Sequence, residues 1–174
     1  MLHNFATWLY ATAPSVFIRN HESWMIPTIQ SIHIVGIATA IGSAFMIAMR
    51  VLGGLGTDQS LLDTVRRYGP WLTGAFWVLL ATGSLLVLAE PPREFDAISF
   101  WLKMALVALM VVTAFAFQRS VRRHDGQWET TVLSRAGVKW AAVATFLVWA
   151  MIIFLGRFIA YDTVWGRVFP GLKT

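Results

Sequence analysis

His33 and Lys103 each stand inside a run of otherwise apolar and small side chains. An ionisable group within a membrane span costs a few kcal/mol and marks a functional site with a partner to be named. His33 lies six residues beyond Pro27 and Lys103 six residues beyond Ala97. At the helical rise per residue, both sit roughly 9 Å inside their helices. The two helices are expected to run inward from the same face. The spacing therefore predicts one polar layer holding His33 and Lys103, with Thr82, Ser84 and Arg157 in it or just above it. Gln30, His33, Gly36, Ala40 and Ser43 follow steps of three and four and share one helix face, which is small apart from the imidazole and Gln30.

A small face of this kind either admits a neighbouring helix closely or leaves room for a flat group beside the imidazole. Several chemistries fit. The layer Gln30, His33, Gly36, Lys103 and Arg157 could hold a partner helix or a small quinone-like ligand. His33 could instead be an axial ligand of a b-type haem, with Gly36 relieving crowding against the ring. A second axial histidine would then have to be His3 or His21, folded back over the bundle, since His124 belongs to the opposite side. His3, His21 and Glu22, with Met25, could form a metal site near the outer face, where imidazole and thioether suit copper. Each has a plain counterpart. His33 would be a hydrogen-bonded residue between helices, Lys103 would snorkel to the headgroups, and Arg157 would be an anchor. A chain that binds no cofactor fits as well as one that binds haem. Glu90, Glu94 and Asp96 read as solvated acids around a Pro91-Pro92 turn.

The elements that position these residues follow from composition. The chain has 174 residues, 57% hydrophobic and only 13% charged, with nine Trp and twelve Phe. That balance is far from a soluble domain. It points to an all-α polytopic membrane protein with lipid as its main partner, and away from nucleic acid. Without cysteine there is no disulfide and no thiolate site. Four apolar stretches reach the roughly 20 residues that a crossing helix needs: 26–49, 70–89, 97–117 and 140–161. The fold expected is a four-transmembrane-helix bundle. An N-terminal interfacial helix within 1–25 precedes it, and a tail at 162–174 follows. The N-terminus lacks a basic n-region and is broken by Pro14, so it does not read as a cleaved signal.

Basic residues set the orientation. Arg50, Arg66, Arg67, Arg119, Arg122, Arg123, Arg135 and Lys139 fall in the first and third loops, which the positive-inside rule places in the cytoplasm, with both termini periplasmic. Trp24, Trp101 and Trp165 would mark the outer interface, and Trp71 and Trp140 the inner one. The Gly-rich VLGGLG lacks a Gly-Lys-Ser/Thr ending and a preceding strand, so it is a helix terminator, not a phosphate loop. No inverted repeat or paired acidic relay suggests a transporter. No catalytic constellation is present, which favours a non-enzymatic subunit or binding module.

The run FIRNHESWMIPTIQSIHIVGIATAIGSAFMIAMRVLG resembles the opening of an uncharacterised bacterial family of small four-span inner-membrane proteins with a His-x-x-Gly first span. Arg19, Ser23, Pro27, His33, Gly36, Arg50 and Gly53 match its pattern, as does Trp101-Leu102-Lys103 at the third span. Gln30 and Ala48 stand where that family commonly carries acids. The family is loosely similar to four-helix membrane cytochromes and copper-resistance membrane proteins. By that resemblance the protein sits in a bacterial inner membrane, with a membrane-protein partner or a second copy of itself as its expected associate.

Overall fold

The computed structural model describes residues 2–159, and among them every regular element is helical. Two short helices, α1 (Leu2–Tyr10) and α2 (Ala13–Asn20), precede the long α3 (Glu22–Leu52) and α4 (Leu61–Ala89). A single turn, α5 (Pro91–Phe95), leads into α6 (Ile98–Arg123). A short α7 (Asp125–Gln127) and a π-helical turn (Trp128–Val132) then lead into α8 (Ala136–Phe158). Helices α3, α4, α6 and α8 are each long and apolar enough to cross a membrane. The tail at 162–174, with Trp165, lies outside the described residues, as does the end of the fourth span at 160–161.

All four long helices differ at their ends from the apolar runs that announce them, and α4 differs most. It begins at Leu61, nine residues before the apolar run at Pro70. Ser60 caps it, its hydroxyl accepting the Asp63 N–H at 3.0 Å. Leu61 and Val65 are fully buried, so packing of one face carries the helix through a stretch whose other face is charged. Pro70 lies inside it, where a missing N–H leaves one carbonyl a turn earlier without its helical partner. Helix α3 starts at Glu22 and runs past Met49 to Leu52, where Gly53 adopts φ 78°, a left-handed conformation that favours glycine. The Gly54 N–H returns to the Met49 carbonyl at 2.9 Å and closes the end. Helix α6 extends to Arg123 instead of ending at Phe117, and α8 opens at Ala136 instead of Trp140.

Helices α3 and α4 form the most extensive pair. Gly36, Ala40, Ser43, Ala44 and Ala48 make the α3 face that α4 approaches. A Cβ on Gly36 would stand 3.1 Å from Leu79 Cδ2. Large apolar side chains such as Ile34, Val35, Trp77, Val112, Leu147 and Phe154 point outward. A membrane protein is expected to present that surface to acyl chains. At one end of the bundle, the capped half, α1, α2 and α5 pack across the helix ends. Ala6, Ser15 and Ile18 face inward there, whereas Phe5, Trp8, Val16 and Phe17 are exposed. Arg19 donates to Ser15 Oγ at 2.6 Å and lies 3.5 Å over the Tyr10 ring.

The other end, the loop half, is closed by a polar knot. Glu129 accepts from Arg50 Nη2 at 3.0 Å and from the Leu61 N–H. Arg50 Nε reaches the Gln59 carbonyl at 2.7 Å. Arg50 thus ties the first loop to the third.

Candidate functional site

The His33 ring reaches α4. Its Nδ1 lies 2.7 Å from Thr82 Oγ1, and that hydroxyl also lies 2.7 Å from the Val78 carbonyl. A carbonyl only accepts, so the Thr82 hydroxyl donates to Val78 and accepts from His33 Nδ1–H. This network assigns the tautomer and leaves the lone pair on Nε2. Thr82 is buried, and a Cβ on Gly83 would meet His33 Cε1 at 3.6 Å. The small face of α3 therefore serves close helix approach, since Leu79 and Val78 occupy the space beside Gly36.

Lys103 turns toward α8. Its stem lies along Gly156, where a Cβ would stand 3.3 Å from Nζ. Its charge is felt both at the His33 ring and at Glu94 of α5. Glu94 is half-buried and not the solvated acid that its sequence context suggests. Burial pushes its carboxyl above the ordinary carboxylate range; the charges of Lys103 and Arg93 oppose this and Glu90 adds to it. Arg157 follows Gly156 and is exposed, as is Gln30.

The outer metal set is not brought together. His3 Nδ1 lies 3.3 Å from Asp96 Oδ2, His21 Nδ1 lies 2.9 Å from the Phe17 carbonyl, and Glu22 is exposed. Among the described residues no three His, Asp or Glu side chains group closely enough to hold an ion.

A second feature, in the loop half, has no counterpart in the sequence reading. A cavity of about 330 Å³ lies between α3, α4, α6 and α8. Its wall is almost wholly apolar, from Ala48, Phe76, Met110 and Ala114 among others. Polar side chains join it as well: Thr113 and Thr145, whose hydroxyls donate to the Leu109 and Ala141 carbonyls, and Gln118 and Trp149, which are 7% and 5% exposed. Gln118 Nε2 and Trp149 Nε1 are both buried without a hydrogen-bond partner. Packing fixes each of them. Gln118 Oε1 sits 2.5 Å from where a Cβ on Gly69 would be, so a side chain at that position would displace the end of Gln118. The Trp149 indole stacks on Phe76, with centroids 6.2 Å apart and an interplanar angle of 11°. Gln118 is five residues from the end of α6 and Trp149 thirteen residues into α8. By the helical rise, their backbones thus stand about 12 Å apart along the bundle axis.

Sequence reasoning passed over both. Gln118 follows directly on the apolar run that ends at Phe117, and Trp149 reads as one more aromatic in a span. The available signal was an indole N–H far from either interface, where tryptophan normally keeps its polar edge wet.

The chain belongs to a family of unknown function (DUF6644), whose model matches residues 17–162. The match takes in His33, Lys103 and the whole cavity wall. No curated protein and no solved structure matches the chain.

Proposed function

We propose that this integral membrane protein is a non-enzymatic binding module whose ligand is a hydrophobic molecule carrying hydrogen-bond acceptors, held in the cavity of the loop half. One observation carries the reading: two residues lining an apolar cavity, each more than nine-tenths buried, carry N–H donors with nothing to accept them. An unsatisfied buried donor costs about 1–3 kcal/mol, and lipid supplies no water to relieve it. A carbonyl or ether oxygen on a ligand offsets that cost, and the apolar wall takes the rest of the molecule. Lipids and quinones are the two membrane classes with this make-up. The polar layer around His33 then holds helices together and is not the ligand site. The arginine-rich loops favour a cytoplasmic loop half, and hence a ligand bound in the inner leaflet of a bacterial inner membrane.

A haem on His33 draws support from the free Nε2 lone pair alone. His3 and His21 are engaged by Asp96 and Phe17, and Leu79 fills the space beside Gly36. Oxidised and dithionite-reduced visible spectra of the purified protein test it directly.

Native mass spectrometry of the chain extracted in mild detergent tests the cavity. The wild type is expected to retain a hydrophobic molecule. Ala114→Phe, which fills the cavity, should lose it, and Gln118→Leu or Trp149→Phe should each weaken retention about fivefold. Equal retention by Ala114→Phe and wild type, with unchanged helicity, would refute the assignment.

A further inference from the structure

We infer that the ligand is an anionic phospholipid, bound with one acyl chain in the cavity, an ester carbonyl on Gln118 Nε2 and its phosphate among Arg119, Arg122 and Arg123. The inference rests on the cavity being a ligand site and names what fills it. A cleft of about 420 Å³ opens at the loop end of α6, lined by Thr73, Phe115, Gln118 and these three arginines. Gln118 is shared, lining both the cleft and the cavity. Gly69 seats both parts, since its missing Cβ makes room for Gln118 Oε1 at 2.5 Å and lies 3.7 Å from an Arg122 guanidinium nitrogen. The wall thus changes over a short distance from apolar, through one amide donor, to strongly cationic.

Glu129 is taken by Arg50 and the Leu61 N–H, and Asp63 by Ser60 and Arg66. Among the described residues, none of Arg119, Arg122 and Arg123 pairs with an acid. Guanidinium groups bind phosphate through paired N–H bonds. The order phosphate, ester carbonyl, acyl chain is the order along a glycerophospholipid. It matches the order of cationic cleft, Gln118 and apolar cavity at the loop end of α6. A quinone presents no anion to the cleft.

Short-chain phosphatidylglycerol, phosphatidylcholine and diacylglycerol, titrated into the detergent-solubilised full chain and read by native mass spectrometry, test this. Wild type is expected to prefer phosphatidylglycerol over phosphatidylcholine by about tenfold. The triple variant Arg119→Gln, Arg122→Gln, Arg123→Gln should bring the two to equal affinity and leave diacylglycerol unchanged. Arg66→Gln with Arg67→Gln should keep the preference. Excess inorganic phosphate should not displace the lipid.

The inference is overturned if wild type shows no preference, if the triple variant keeps it, if the Arg66 and Arg67 variant removes it equally, or if inorganic phosphate competes. Diacylglycerol bound by wild type and lost in Ala114→Phe, without any headgroup preference, would leave the cavity reading standing and this one refuted. No difference between wild type and Ala114→Phe for any lipid would refute both.

Discussion

In the capped half the His33 ring meets Thr82 at 2.7 Å, the Lys103 stem lies across Gly156, and Gly36 abuts Leu79. In the loop half Gln118 and Trp149 each bury an N–H that nothing accepts, on the wall of a cavity. Both halves belong to the same four helices, so the contrast does not come from fold. It comes from what the polar atoms meet. A polar side chain inside a membrane protein whose partner is another helix is a packing device, worth on average about 0.6 kcal/mol. One without a partner costs free energy and persists where something else completes it. Rarity of a residue type in a span is therefore a weaker sign of a binding site than an uncompensated donor.

The contrast breaks most severely if the capped half is forced open. Gly36→Leu would drive a side chain into Leu79 and Val78, and overpacking of this kind costs about 1–3 kcal/mol. We expect a matching loss in unfolding titrations in mixed micelles, with ligand retention in the loop half less affected than stability. Thr82→Val comes next. It keeps shape but strips His33 of its acceptor, and about 1 kcal/mol should be lost in the same assay. If Thr82→Val were neutral, His33 would not be held by α4 as its geometry indicates.

Much of this architecture was legible. Four apolar runs announced the four long helices, and His33 and Lys103 were conspicuous because ionisable groups are costly in lipid. Helix ends were less legible. Hydropathy falls at 61–69, where charged residues alternate with Leu61 and Val65, so the start of α4 shows only in its packing. The cavity was not legible at all, because it is made of alanines and aromatics that look like ordinary core. Gln118 acquires meaning only through Gly69, 49 residues earlier in the chain and on a different helix. Glu94 differs for a similar reason: α5 half-buries it within range of the Lys103 charge, a placement that the proline-rich turn does not encode locally.

Gln118→Leu sharpens the comparison from the other side. Replacing a buried amide whose N–H lacks a partner with an apolar group of similar size should be nearly neutral or stabilising, by up to about 1 kcal/mol in ligand-free protein. On the proposed reading, the same change should weaken ligand retention. Opposite signs in the two assays are expected here, whereas Thr82→Val should lower stability alone. A destabilised Gln118→Leu protein, with all ligand removed, would mean that the amide has a structural partner and that the two halves do not differ.

The smallest effect concerns pH and tests whether the capped half is as well satisfied as its hydrogen bonds suggest. Burial raises the Glu94 carboxyl above its ordinary value of 4.5 despite the opposing charges of Lys103 and Arg93. An acid with a raised value in the folded state gives stability that is complete below the unfolded value. That stability is lost as pH rises through the folded one, because the unfolded chain releases its proton first. Melting temperature in detergent should therefore fall gently as pH rises from about 4 toward 7, and Glu94→Gln should flatten that slope. Lys103→Met should steepen it, since the cation that favours the ionised carboxylate is then gone. If wild type instead gains stability with rising pH and Glu94→Gln removes the gain, the Lys103 charge outweighs burial. Glu94 and Lys103 would then form a fully compensated ion pair, and the two halves would differ even more sharply than their hydrogen bonds indicate.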